Sequence, residues 1–190
     1  MLPVALAALV VAGCGSTHRA AGNTAATGTT VSGMTTVSAI HASTPRCTTA
    51  ALAVWLGLGE GGGTAGSTFY PLELSNISSH ACHLRGFPGV SAWNGHQLGS
   101  PAQRDNTVGA QMVTLAHGDT AHVLLRITDV GNVPASSCSP TTARQLKVFP
   151  PDERSARFVP FSFRACSKPG PVFLSIRAVE PGVGIPGFSQ

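Results

Sequence analysis

The residues able to do chemistry in this 190-residue chain fall into four groups. Val11-Ala12-Gly13-Cys14 closes an apolar run with small side chains and a thiol, the pattern of a bacterial lipoprotein signal. Acylation of that thiol would make Cys14 the first residue of the mature chain. Cys47, Cys82, Cys138 and Cys166 form an even set suited to disulfides. His80, His83, His96, His117 and His122 are the imidazoles that could converge on zinc or copper. Gly89-Val-Ser-Ala-Trp93 begins like the G-x-S-x-G elbow of a serine hydrolase.

Spacing removes most of this chemistry. The serine frame ends in Trp93 and falls on a predicted hairpin strand, where no strand-to-helix elbow forms. His80 and His83 are three apart in an extended stretch, so they fall on opposite faces. No H-x-H pair exists, and Met112 is the single methionine after residue 46. No metal site and no cofactor are therefore predicted. The eight acids are scattered, and the adjacent pair Asp152-Glu153, flanked by Pro151 and Arg154, reads as a solvated turn. Gly61-Gly62-Gly63 lacks the lysine of a phosphate loop. The chain is predicted not to be an enzyme, with an envelope hydrolase as the alternative, or a metal or small-ligand carrier.

Those groups must be positioned by the segments between them. Residues 2–12 are eleven largely apolar positions, against roughly 20 needed for a membrane-spanning helix. The length fits the apolar core of an export signal, although no Lys or Arg precedes it. Residues 1–13 are read as the signal peptide. Residues 14–46 form a Thr/Ser/Ala/Gly-rich tether that cannot bury enough apolar surface to fold. Its r.m.s. span as a flexible coil is roughly 30 Å. The expected location is the outer face of the cell membrane, with the membrane as partner through Cys14.

Residues 47–181 have the composition of one folded domain, and 182–190 read as a flexible tail. The domain carries ten Arg/Lys and eight Asp/Glu, with no basic cluster interleaved with aromatics, so nucleic acid is not a predicted partner. Four cysteines allow three connectivities. Cys47–Cys82 with Cys138–Cys166 is favoured because each pair brackets one strand-rich block.

Period-two alternation supplies those blocks. It places Tyr70, Leu72 and Leu74 on one face, then Ala121, Val123, Leu125 and Ile127, then Leu174, Ile176 and Ala178. Asn94-Gly95 reads as a type I′ hairpin turn with two positive-φ positions. Gly118-Asp119 turns the chain between two strands. Helical turns are predicted within 47–56 and 139–144. The fold class predicted is all-β, an Ig-like antiparallel β-sandwich with two disulfides.

Leu72-Glu-Leu-Ser-Asn76, Cys82-His-Leu-Arg-Gly-Phe-Pro-Gly-Val90, Trp93-Asn-Gly95, Leu146-Lys-Val-Phe-Pro-Pro151 and Cys166 with its following strand together resemble an actinobacterial family, domain of unknown function 4232. The resemblance implies an exported, often lipid-anchored, disulfide-bearing sandwich, and it transfers no catalytic residue. Two aromatics stand out for binding. Trp93, at the hairpin tip, offers an amphipathic ring for a glycan or protein. Phe87, in Gly86-Phe87-Pro88-Gly89, either anchors a structural corner in the core or belongs to a ligand-binding turn. Core packing is the other role open to Trp93, and to Trp55. The function predicted is a non-catalytic binding or interaction module meeting an envelope protein or glycan.

Overall fold

Alternating apolar positions account for the strands, and a computed structural model describes them over residues 43–58 and 62–186. The signal run, Cys14 and the tether up to residue 42 lie outside the described residues. Strand β1 (Leu52–Leu56), β2 (Gly62–Thr64) and β3 (Ser67–Asn76) are followed by β4 (Cys82–Arg85), β5 (Gly89–Trp93), β6 (Gln97–Leu98) and β7 (Gln103–Arg104). Then come β8 (Met112–Leu115), β9 (Thr120–Thr128), a short helix α1 (Ala135–Cys138), β10 (Pro140–Phe149), β11 (Arg157–Cys166), β12 (Leu174–Ile176) and β13 (Glu180–Pro181). The larger sheet runs β1-β3-β9-β12-β7, with β2 on β3 and β13 on β9; the smaller runs β11-β10-β5-β6, and β4 pairs with β8 alone.

The two sheets bury their facing rows as a β-sandwich. Leu72, Leu74, Ala121, Val123 and Leu125 from the larger sheet are fully buried, as are Leu146, Val148 and Ala143 from the smaller. Each such aliphatic contributes roughly 1.5–3 kcal/mol of burial. Tyr70 meets Phe161 edge-on at 5.1 Å, and Phe161 stacks on Phe163 at 5.4 Å, continuing the core along β11. Ala143 and Leu146 both point inward although three apart, because a bulge between Ala143 and Gln145 absorbs one residue.

Covalent ties close the ends. Cys47 bonds Cys82 and Cys138 bonds Cys166, the pairing of sequence neighbours. Separations of 35 and 28 residues correspond to roughly 3.5–4 kcal/mol each in the chain-entropy account. Asn76, wholly buried at the end of β3, donates from Nδ2 to the carbonyls of His80 (2.9 Å) and Leu115 (3.0 Å) and accepts from the Ser78 amide and hydroxyl. It therefore joins the larger sheet to β8.

Several local expectations change. Residues 139–144 lie in β10 apart from Ser139, and helix appears just before them in α1; within 47–56 a 3-10 turn covers Thr49–Ala51 and the rest is β1. The Asn94-Gly95 turn is not type I′: Trp93 pairs with Gln97 across a three-residue loop, and only Gly95 has positive φ (75°). A three-residue loop needs one such position where a two-residue I′ turn needs two. The Gly118-Asp119 turn carries the chain between sheets, from β8 paired with β4 to β9 in the larger sheet. The segment from residue 182, expected to trail away, stays on the domain as far as Pro186, with Ile185 buried.

Candidate functional site

The larger sheet has an outer face, and its two ends differ. Period two sends Phe69, Pro71 and Glu73 outward from β3, and His122, Leu124 and Arg126 outward from β9. At one end a C-terminal strap covers this face. His122 pairs in register with Glu73 on one side and Glu180 on the other. The Gly184 amide donates to Glu73 Oε1 at 2.8 Å, His122 Nδ1 lies 3.1 Å from the Gly182 carbonyl oxygen, and the Gly182 amide donates to Thr120. Both Glu73 and His122 are buried beneath it.

At the other end the face is open. Cross-strand register builds a row Phe69–Arg126–Ser175–Gln103 across β3, β9, β12 and β7. Beside it Arg177 donates its backbone amide to Leu124, and Asp105 donates to Ile176. Together they floor a groove of about 660 Å³. The outward charged side chains along it are Arg126, Arg177 and Asp105; Arg104 also lines it but is in register with the core-facing Ile176. Arg126 Nε donates to Ser67 Oγ at 3.0 Å, and its guanidinium carbon lies 5.9 Å from the Phe69 ring centroid. Arg104 lies 5.6 Å from the Phe87 centroid. Arg177 Nε donates to Asp105 Oδ2 at 3.2 Å. Hydrogen bonds from the Thr107 hydroxyl and amide, then Arg177, hold the Asp105 carboxyl below its ordinary range.

The groove is therefore a rigid sheet floor carrying guanidinium, amide and hydroxyl groups next to apolar surface. Such groups hold a ligand by charge and hydrogen bonds. Sequence reasoning did not single out Arg104, Arg126 or Arg177. Arg126 and Arg177 were visible as polar breaks on the outward phase of two strands, but such breaks read equally well as solvated faces.

The aromatic residues singled out from sequence do not line the groove. Phe87 is half-buried and outside the core cluster, with its ring beside Arg104, so it is not the core anchor of the turn. Trp93 lies on the outer face of the smaller sheet, 5.6 Å from Phe158 and 4.4 Å from Lys147 Nζ. Trp55 is 41% exposed and donates to Ser75 Oγ. Neither tryptophan packs in the core, because outward phase on an edge strand or a hairpin strand decided their side. The groove and the Trp93 patch are on different sheets.

Histidine partners diverge. His83 Nδ1 lies 2.7 Å from the Thr44 carbonyl oxygen, His117 Nδ1 2.8 Å from that of Ser78, and His80 Nδ1 2.9 Å from Ser79 Oγ. Among the described residues no three His, Cys, Asp or Glu side chains gather. Ser91 sits inside β5 and donates to Gln97 Oε1 at 3.3 Å. Asp152 is exposed in a turn, as expected, but Glu153 beside it is tied to the domain. Glu153 accepts from both the amide and the hydroxyl of Thr49 at 2.8 Å, pinning the β10–β11 hairpin to the start of the domain. Those two bonds, with Arg46, hold its carboxyl below the ordinary range.

A family model described as a domain of unknown function (DUF4232) matches residues 47–178. Neither a curated protein nor a solved structure matches the chain.

Proposed function

The chain belongs to the family of the domain of unknown function DUF4232, and from that premise we propose that it is a lipid-anchored module of the cell envelope that binds rather than catalyses. The observation that carries this reading is the open groove on the outer face of the larger sheet. Its polar groups hang from strands locked in register on both sides, so they are held ready for a ligand without rearrangement. The strap fixes the neighbouring half of the same face.

Address and site complement one another in this reading. Cys14 carries the lipid, the tether lifts the domain by about 30 Å, and the groove meets a ligand outside the membrane. Two disulfides suit an oxidising compartment.

Site-specific cross-linking of the full-length chain in intact cells tests the reading. Products that form with the wild type and with Phe158→Ser, on the opposite sheet, but vanish with Arg126→Glu are expected. Products indifferent to Arg126→Glu would overturn it.

A further inference from the structure

The outer face of the smaller sheet carries a second cluster, separate from the groove. Leu146 and Val148 of β10, Val90 and Ala92 of β5 and Val159 of β11 are buried toward the core. Period two therefore turns Gln145, Lys147, Phe149, Trp93 and Phe158 outward. Register sets them side by side: Lys147 lies across from Phe158 and from Ser91, and Gln145 lies across from Trp93. The contacts agree with that placement. Lys147 Nζ is 4.4 Å from the Trp93 ring centroid and 5.0 Å from that of Phe149, and Trp93 meets Phe158 at 5.6 Å.

The ammonium has rings beside it and no anion. Among the described residues Lys147 makes no ion pair, and β5, β6, β10 and β11 contain no Asp or Glu. Two rings hold the charge in place by cation–π attraction, and its N–H donors remain for a ligand. Across from it the Phe158 ring is 47% exposed, while Trp93 is half-buried. Gln145 supplies an amide next to Trp93.

This combination selects among partners. A single cation matches a monoanion such as a carboxylate. The rings lie along strands, so they cannot sink the roughly 5–10 Å into a bilayer that an interfacial anchor reaches. Protein interfaces are depleted of lysine, and here lysine is central. A pyranose fits better: its C–H face packs on an aromatic ring, and its hydroxyls bond to an ammonium or an amide. A polymer of such units matches an open sheet face.

We propose that the outer face of the smaller sheet binds an acidic polysaccharide, a chain of uronic acid units. A sugar C–H face stacks on Phe158 and the exposed part of Trp93, the carboxylate meets Lys147, and Gln145 bonds a hydroxyl.

Calorimetric titration of the full-length chain with oligogalacturonate tests the proposal, with its methyl ester and polyglutamate as comparisons. The methyl ester keeps the sugar and removes the charge; polyglutamate keeps the charge and removes the sugar. Saturable binding of oligogalacturonate is expected, at least about tenfold tighter than either comparison. Lys147→Gln should weaken it about tenfold and Trp93→Leu about fivefold. Phe158→Ser, expected to leave the groove's cross-links in place, should also weaken it about fivefold. Thermal unfolding of each variant checks that the fold survives. Polyglutamate binding as tightly would reduce the face to bare charge and overturn the proposal. So would oligogalacturonate binding no tighter than its methyl ester, or binding unchanged in all three variants. Absent oligogalacturonate binding would overturn it too, in favour of a lipid surface if the Cys14→Ala chain sediments with phosphatidylglycerol vesicles through Lys147. None of these outcomes bears on the groove, which the cross-linking with Arg126→Glu tests separately.

Discussion

Arg126 stands directly across the sheet from Phe69, with its guanidinium carbon 5.9 Å from the ring centroid and its Nε bonded to Ser67. The cation is held by a ring beneath it and a hydroxyl beside it. Phe69→Ala removes the ring but leaves the charge and the Ser67 bond. The expected result is a two- to fivefold fall in the yield of Arg126-dependent cross-links, in line with the roughly 0.5–1 kcal/mol of an exposed cation–π contact; an unchanged yield would show that the ring does not hold the cation.

Asn76 should be the most sensitive polar position of the core. Asn76→Ala strips donors from the buried carbonyl of Leu115 and from His80, and leaves the Ser78 amide without its acceptor. A loss of about 3 kcal/mol is expected, read as a lower urea midpoint with unchanged m-value.

Glu153 makes stability depend on pH. Its folded-state carboxyl is held low by Thr49, so its contribution is complete above the unfolded value near 4.5 and is lost as pH falls through the folded value. Thermal melts between pH 6 and pH 3 should therefore show a steeper decline for the wild type than for Glu153→Gln. Equal declines would contradict the Thr49 contact.

Glu73→Leu removes the acceptor of the Gly184 amide and leaves the strap's own backbone unaltered. Loosening of the strap is the expected outcome, seen as faster hydrogen exchange at the Gly182 amide with little change at Leu125 in the core. Exchange unaltered at Gly182 would show that the strap does not depend on Glu73.

Disulfide-by-disulfide removal gives a fifth measurement. Cys138→Ala with Cys166→Ala should cost about 3.5 kcal/mol in denaturant unfolding while leaving the Cys47–Cys82 bond intact.

The period-two core was legible from sequence because burial forces it. Leu72 and Leu74, Val123 and Leu125 can face only one way if their strands have one wet face. Neighbour pairing of the cysteines followed from the same blocks. The bulge before Gln145 was not legible, since an inserted residue leaves no apolar signature. Nor was the groove. Phe69, Arg126, Ser175 and Gln103 lie far apart in the chain, and only strand order and register bring them into one row. Phe87 was singled out for its turn, and the structure gives it a second role beneath Arg104. Trp93 drew attention by ring size, yet hairpin phase puts it on the other sheet. The strap escaped notice because Gly182 and Gly184 bind through backbone groups, which a side-chain reading does not register.

The central claim is that the open half of the larger sheet is the ligand site. Site-specific photo-cross-linking in intact cells, from a reporter at Gln103 and from a second at Trp93, tests it most directly. The account predicts products from Gln103 that disappear with Arg126→Glu. Products from Trp93 alone, or products from Gln103 that persist with Arg126→Glu, would contradict it.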